Sequence, residues 1–447
     1  MGNLKPGEKI ALKSGGEVKI LDEFGAGGQG TVYKVEYEGK DYALKWYHVG
    51  VFKGNEQAFY ENIENNIANG APTKAFLWPI AVTLPQGGTF GYLMDIRPAG
   101  YEELTNFFVS TKKKKQVRFK SFLAQNTAAI NIIEAFRELH NKGYSYQDIN
   151  NGNFFINPYN GDVLICDNDN VSPFETNLGI MGKQRWMAPE IVTGKCDPDK
   201  QSDRFSLAVV LFRLLFINHP LEGVYSTPPC MTKELEKRYY GEAPVFILDP
   251  SDKKNRPIPG TDQNLKVFWG IYPQYVRDMF TRAFSQEVMH KKAPRVLEKE
   301  WLDVFMRLRT QIGRCPHCGE EMFFDTAATK NKAACFECRR SVPVANTLLV
   351  GRNRNPEFNR YSIYNGMKLY MWNVDSSHDD VRTAVAEVIA NPQNPAMLGF
   401  KNITSESWKV TLPDGNVRAV EPGKPVPVNS GFKIDFIGDS TREGVIG

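Results

Sequence analysis

The sequence predicts an α+β chain: a small β-rich lobe and a larger helical lobe, then a four-cysteine module and a small all-β sandwich. Three observations carry this. Alternating strand-like segments with glycine-rich turns fill roughly the first 100 residues. Apolar residues at helical spacing dominate from there to about residue 310. Two Cys-x-x-Cys pairs follow, and beyond them strand patterns and turn dipeptides return.

At 447 residues the chain is too long for one compact core, so two or three domains are expected. Its hydrophobic fraction of 42% and charged fraction of 24% are ordinary for a globular protein. A net charge of +4 is small for this length and argues against nucleic-acid or membrane partners. The one basic run, Lys112–Lys115, is a short solvated loop. No segment reaches the apolar length of a membrane span. Met1–Pro6 has no apolar signal core, and Pro6 stands where a myristoylation signal carries Ser or Thr, so a cytoplasmic chain is expected. Seven cysteines, four of them in two close pairs, point to metal binding in a reducing compartment.

In the small lobe, residues 18–21 lead into a glycine loop, 31–37 alternate as a strand, 38–41 turn, and 42–47 form the next strand. A helix is expected over 56–69 and a strand over 90–95. In the large lobe, Phe122, Ile130, Ile133, Phe136 and Leu139 mark a helix over 121–141 that stops at Lys142-Gly143. Residues 203–216 read as a mostly buried helix. The two lobes imply a cleft between them. Near the C-terminus, Asn365-Gly366 between 361–364 and 367–370 predicts a hairpin, and Asp414-Gly415 between 408–411 and 417–420 predicts another.

Gly25-Ala26-Gly27-Gly28-Gln29-Gly30-Thr31-Val32 fits G-x-G-x-x-G-x-V and joins two strands, whereas the dinucleotide version joins a strand to a helix. Glycines there let backbone N–H groups approach phosphate oxygens. Lys45 follows fifteen positions after Gly30. Tyr146-Gln147-Asp148-Ile149-Asn150-Asn151-Gly152-Asn153 resembles the protein-kinase catalytic loop, and Val163-Leu164-Ile165-Cys166-Asp167 resembles the strand ending in D-F-G. Ala188-Pro189-Glu190 matches A-P-E, and the stretch from Ser202 to Leu211 resembles the helix whose Asp braces the catalytic loop; Arg295 is the candidate for the family arginine near the end of the large lobe.

These ordered motifs resemble the protein-kinase family over residues 15–310, with a small lobe over 15–98 and a large lobe over 99–310. The resemblance implies a bilobal kinase fold that takes ATP with Mg2+ or Mn2+ and transfers the γ-phosphate to a Ser or Thr hydroxyl of itself or of a protein substrate. Lys45 would hold the phosphates. Asp148 would orient the hydroxyl proton, and Asn153 and Asp167 would hold the metal. A helix carboxylate would hold Lys45, either Glu64 or Glu61, with Glu64 preferred because Tyr60, Ile67 and Ala68 share its face. Contacts to the nucleotide would come from Gly25, Gly27, Gly28, Gly30, Val32, Ala43 and Lys45. Met94 would stand at the gatekeeper position, or simply in the core, and the backbones of Asp95 and Arg97 would meet the adenine.

The sequence departs from the family in three places. Tyr146-Gln147 replaces His-Arg, which removes the partner of a phosphorylated activation loop. Asn150 stands where Ser/Thr kinases carry a lysine. Asn168 and Asp169 replace Phe and Gly of D-F-G, and Asp169 either adds a metal ligand or caps a turn. A nucleotide-binding pseudokinase scaffold is therefore the alternative reading, and a small-molecule kinase is disfavoured by the A-P-E segment.

Cys315, Cys318, Cys335 and Cys338 form C-x2-C-x16-C-x2-C over residues 313–343, the pattern of a closed structural zinc ribbon rather than a redox pair. His317 reads as exposed, Cys166 as a buried thiol, and Cys196 and Cys230 as ordinary thiols. The last segment, 346–447, reads as the β-sandwich; residues 399–403 and 432–438 resemble the end of a forkhead-associated domain. The whole arrangement resembles bacterial kinases of tellurite-resistance and stress systems. That resemblance implies a metal-dependent protein phosphatase and a von Willebrand-type protein as partners.

Overall fold

The computed structural model describes residues 4–109, 115–326, 331–351, 360–375, 379–438 and 442–447. The start of the N-terminal segment, Met1–Asn3, and most of the basic run, Lys112–Lys114, lie outside the described residues. Two compact units emerge. Met1–Arg118, Asn131–Asp262 and Thr281–Glu298 form the first; Phe119–Ile130, Gln263–Phe280 and Lys299–Gly447 form the second. The units of packing therefore cut across the division expected near residue 310.

The first unit opens with a six-stranded antiparallel sheet, in the order Lys9–Ala11, Glu17–Ala26, Gly30–Tyr37, Lys40–Tyr47, Gly91–Met94, Pro79–Val82. It starts before the expected boundary at 15, because Ile10 and Leu12 are buried against Val18 and Ile20. Alternation divides the central strand between two cores. Leu44 and Trp46 pack on one face with Tyr33, Val35 and Leu93. Ala43 and Tyr47 pack on the other with Tyr92, Met94 and the helix residues Phe59, Tyr60 and Ile63. Lys45 shares the parity of Ala43 and Tyr47, so its ammonium is sent toward the helix side. Gly30 serves this packing: a Cβ there would lie 2.4 Å from the Trp46 carbonyl oxygen.

The helix Glu56–Asn69 buries Phe59, Tyr60, Asn62, Ile63 and Asn66 and ends at Gly70. Further on, Phe122–Asn141 is helical as its periodicity predicts. The apolar helix Lys200–Phe216 begins three residues before its expected start, because Asp199 and Ser202 form a capping box. Short ladders pair Phe154–Ile156 with Val163–Ile165 and Tyr144–Ser145 with Ser172–Pro173.

In the second unit, the hairpins Ile312–Arg314/Glu321–Phe323 and Lys332–Ala334/Ser341–Pro343 carry the cysteine pairs. The residues beyond form two antiparallel sheets of six and four strands. The Asp414-Gly415 turn does join a paired hairpin, with Trp408 opposite Val420 and Thr411 opposite Val417. The Asn365-Gly366 turn does not. Arg360–Ser362 pairs with Thr347–Val350 in the larger sheet, whereas Lys368–Tyr370 pairs with Ala384–Ala390 in the smaller one. The dipeptide reverses the chain from one sheet to the other, which a local turn signal does not distinguish from a hairpin.

One core runs through ribbon and sandwich, from Cys315, Met322 and Phe324 to Trp408, Phe436 and Ile446. Helix residues join it by polar ties: Trp372 Nε1 donates to Asp303 at 3.0 Å and Arg309 to the Val381 carbonyl at 2.9 Å. The Tyr364 hydroxyl donates to the Thr310 and Ile312 carbonyls, each at 2.9 Å, and its ring stacks on Phe324 at 3.8 Å. A Cβ on Gly313 would lie 2.2 Å from that ring, which is fixed at both its face and its hydroxyl. Gly313→Ala is therefore expected to destabilise the second unit by about 1–3 kcal/mol, read as an earlier urea-unfolding transition. An unchanged midpoint would show that the ring can give way.

Candidate functional site

The site is built from the helix-facing side of the sheet and from three segments of the large lobe. At its base, Asp203 of the helix Lys200–Phe216 accepts hydrogen bonds from the backbone N–H groups of Tyr146 at 2.7 Å and Gln147 at 2.9 Å. Gln147 takes a positive φ of 69° there. His140 links Asp203 at 3.1 Å to Glu298 at 2.8 Å, and Arg204 grips both Glu298 oxygens at 2.8 and 3.1 Å. Burial alone would push Glu298 up, but its bonds from His140 and Arg204 outweigh that and hold it at about 2. Burial works against the charged form of His140 too, yet Asp203 and Glu298 raise it above its usual value.

The catalytic-loop candidates follow directly. The Asp148 carbonyl accepts from Asn150 Nδ2 at 3.0 Å and from Asn153 Nδ2 at 2.9 Å. Asn150 Oδ1 also accepts from the Gly152 N–H, so it shapes the loop instead of supplying a cation. The Asp148 carboxyl is pushed up to about 6, first by burial and then by the negative charge of Asp167, against hydrogen bonds from Asn150 and Asn153. The Cys166 N–H donates to the Asn153 carbonyl at 2.9 Å, which sets Asp167 beside the loop. Cys166 itself is half-buried, not buried as expected, and Asp167 takes a left-handed backbone with φ 53°.

Lys45 Nζ lies 2.8 Å from Asp169 Oδ2 and 3.3 Å from Asp167 Oδ1 and Gln29 Oε1. Burial lowers its pKa, but the two carboxylates more than offset that and leave it raised. Glu64 is the correction. It pairs with Lys13 and leaves Lys45 to the aspartates, because the buried face of the helix is set by Phe59, Tyr60, Asn62, Ile63 and Asn66, with Glu64 at its margin and Ala68 exposed. Glu61 is no substitute, since it accepts from Gln57 on the exposed side. Asn62 and Asn66 instead donate to the backbone of the segment after Asp167: Asn62 to the Asp169 carbonyl at 3.3 Å, and both to the Val171 carbonyl at 2.9 Å.

A Cβ on Gly25 or Gly28 would meet nothing within 4 Å, and on Gly27 only the Gly30 carbonyl at 3.7 Å, so the loop leaves room for a ligand against its backbone. Ala43 is opposite Met94 in the sheet; both are buried, with Val32 packed against their cluster. Asp95 and Arg97 are exposed, and the Arg97 guanidinium stacks over Phe155 at 4.0 Å. Glu190 pairs with Arg295 at 2.7 Å. The Gln147 amide donates to Ser145 Oγ at 3.0 Å, Ser172 Oγ at 2.8 Å and the Thr176 carbonyl at 2.7 Å, so a neutral side chain ties the segment after Asp167 to the catalytic loop. Sequence reasoning missed Tyr47, Tyr92, Asn62, His140 and Lys183, whose ammonium reaches Asn151 Oδ1 at 3.0 Å. Only the tyrosines carried a signal: Tyr47 shares the strand parity of Lys45, and Tyr92 is opposite Lys45.

In the second unit, the Sγ atoms of Cys315, Cys318, Cys335 and Cys338 all lie within 4.8 Å of one another. Cys315 and Cys338, and Cys318 and Cys335, are 3.8 Å apart. Thiolates placed tetrahedrally about 2.3 Å from zinc stand about 3.8 Å apart, so the donor set fits that ion. Each pair sits on the same kind of turn, closed by N–H bonds from Gly319 to Cys315 and from Arg339 to Cys335.

This lysine, two aspartates and an asparagine gather in one cleft, at the positions where the sequence carries its kinase-like motifs. The sequence matches the protein kinase domain over residues 18–242, and the chain belongs to that family. Among its relatives, Escherichia coli protein kinase YegI is 23% identical over 330 residues, covering 70% of this chain and 48% of YegI. The probable serine/threonine-protein kinase kinX of Dictyostelium discoideum is 25% identical over 207 residues, covering 44% of this chain and 18% of kinX. The chain thus spans under half the length of these relatives. The crystal structure of the Mycobacterium tuberculosis PknI kinase domain aligns with a TM-score of 0.37 at 18% identity, over 51% of this chain and 83% of that one. Among the described residues, no helix is long and apolar enough to cross a membrane.

Glu298→Gln removes the carboxylate that compensates both His140 and Arg204. It is expected to cost about 3 kcal/mol of stability. The depressed Glu298 contributes stability above its ordinary value of 4.5 that is lost as pH falls toward 2. The raised His140 contributes below its ordinary value of 6.5 and fades as pH rises through its folded value. Chemical unfolding should therefore show the widest gap between wild type and variant from about pH 4.5 to 6.5.

Proposed function

We propose that the chain is an ATP- and divalent-metal-dependent protein kinase that transfers the γ-phosphate to a Ser or Thr hydroxyl on itself or on a protein substrate. The observation that carries this is the gathering of Lys45, Asp148, Asn153 and Asp167 in one cleft. Lys45 neutralises phosphate charge. Asp148, an elevated carboxyl with no cationic partner at hydrogen-bond distance among the described residues, receives or orients the hydroxyl proton. Asn153 has its amide nitrogen committed to the Asp148 carbonyl, which leaves its oxygen to offer a cation; Asp167, with a side chain 41% exposed, offers a carboxylate. A bound magnesium or manganese ion supplies charge neutralisation at the phosphates, and those two residues would hold it. The neutral Gln147 tie supports an activation segment that is ordered without phosphorylation.

A nucleotide-binding scaffold is the second reading, favoured by the lack of a helix carboxylate at Lys45. Transfer from labelled ATP to itself and to protein acceptors separates the two. Wild type is expected to incorporate label, and Asp148→Ala and Asp167→Ala are each expected to lower the rate about a hundredfold or more. ATP binding without any transfer would favour the scaffold.

The cysteine cluster is proposed as a structural zinc site. The sandwich, whose first and last strands lie side by side, is proposed as a forkhead-associated-like module that recruits partners. A cytoplasmic stress-signalling role, with a metal-dependent phosphatase and a von Willebrand-type protein as partners, is the finer form of this reading. Native mass spectrometry is expected to find one zinc per chain. Its removal by chelator should loosen the core shared by ribbon and sandwich, seen as faster hydrogen exchange around Ala333 and Val342. Folded, metal-free protein would refute the zinc assignment.

A further inference from the structure

Lys45 has a side chain only 6% exposed, and a buried ammonium needs a counter-charge. The kinase resemblance gives that part to a helix glutamate. Here the helix turns Asn62 and Asn66 inward, and their amides bind the Asp169 and Val171 carbonyls without neutralising a cation. The nearest full charge is Asp169. Its side chain is 1% exposed, and both its oxygens are engaged: Oδ2 by Lys45 at 2.8 Å and by the Tyr47 hydroxyl, Oδ1 by the Tyr92 hydroxyl at 3.4 Å. Burial, together with the charge of Asp169, raises both phenols well above their usual value, so they remain donors.

Asp167 also touches Lys45, but at 3.3 Å and with a side chain 41% exposed toward the cleft. A carboxylate engaged with a divalent cation has its charge spent there, and Lys45 then still requires a partner. Two aspartates two positions apart on one short turn meet both needs. The turn itself is pinned: Asn168 Nδ2 donates to the Leu77 carbonyl at 2.8 Å and to the Ile165 carbonyl at 3.0 Å.

We propose that Asp169 is the positioning residue for Lys45, taking within the Asp167–Asp169 turn the part that the family gives to a helix glutamate. The proposal rests on Lys45 being the phosphate-holding lysine. One consequence is that lysine and cation ligand are set by the same turn, and the helix acts on them only through asparagine bonds to that turn's backbone. A second is that Asp169→Gly, which restores the third letter of D-F-G, is damaging in this chain.

The test combines a double-mutant cycle with a rescue. Lys45→Met, Asp169→Asn and the double variant are unfolded in urea, and Mg-ATP affinity and transfer are measured for wild type, Asp169→Asn, Asp169→Gly and Asp169→Gly/Asn62→Glu. Expected is a non-zero coupling between positions 45 and 169. Expected also is a loss of about 30-fold or more in nucleotide affinity or transfer for the folded single variants at 169, with at least tenfold recovered by Asn62→Glu. Zero coupling, or single variants that are less stable yet bind and transfer like wild type when folded, overturns the proposal. If wild type binds Mg-ATP but transfers nothing, the kinase reading fails while coupling and affinity still decide the role of Asp169. If wild type binds no nucleotide, Lys45 holds no phosphate and the proposal falls together with the kinase reading, leaving the unfolding cycle to report a structural ion pair only.

Discussion

The catalytic loop of the first unit hangs from one carboxylate that accepts hydrogen bonds from two peptide N–H groups. Asp203 sits on a buried, capped helix, so its position is fixed by packing that has nothing to do with ligand. By accepting from Tyr146 and Gln147 it holds Gln147 at a positive φ that a non-glycine residue adopts at a cost. That turn delivers Asp148 to the cleft, and the loop returns through Asn150 and Asn153, both bonded to the Asp148 carbonyl. His140 and Glu298 hold Asp203 from behind. A chain of neutralised charges, from Arg204 to the loop amides, thus converts helix packing into the placement of one carboxylate.

The contrast between buried charges in this unit is physical and informative. Glu298, Glu190 and Asp169 each face a cation, and for Glu298 and Glu190 that cation overcomes the penalty of burial and keeps the carboxylate below its usual range. Asp148 is treated differently. Burial raises it, Asp167 raises it further, and only amide hydrogen bonds oppose them. A carboxylate left elevated amid so many paired ones is the group suited to take a proton, whereas the paired ones suit the work of holding geometry.

The strong periodicities were legible. Alternation around Lys45 fixed its face of the sheet, and helical spacing located Glu56–Asn69 and Phe122–Asn141. The motif spacings named the residues that meet in the cleft. What was not legible depended on choices between near-equal local options. Glu64 and Asn62 are two residues apart on one helix, and which one faces inward is decided by how Phe59 and Ile63 pack, not by charge. Asn365-Gly366 carries the same turn chemistry whether its flanking strands pair with each other or enter different sheets. The units of packing were hidden for a similar reason: Gly313 and Tyr364, far apart in sequence, interlock where no periodicity marks them.

The replacements around the cleft share a direction. Gln147, Asn150 and Asn62 are neutral amides that bond to backbone or hydroxyl groups of the catalytic loop and of the segment after Asp167, and Asn168 bonds to the Leu77 and Ile165 carbonyls. An amide contributes about 1 kcal/mol per hydrogen bond and needs no partner charge, whereas an arginine in such a pocket needs an anion to be stable. Ties made by amides are satisfied in the folded chain without a counter-ion. Within the cleft itself the full charges are those of Lys45, Asp148, Asp167 and Asp169. Neutral amides thus stand beside the ionic ties of Asp203, Glu298 and Glu190 in holding the loops around the cleft.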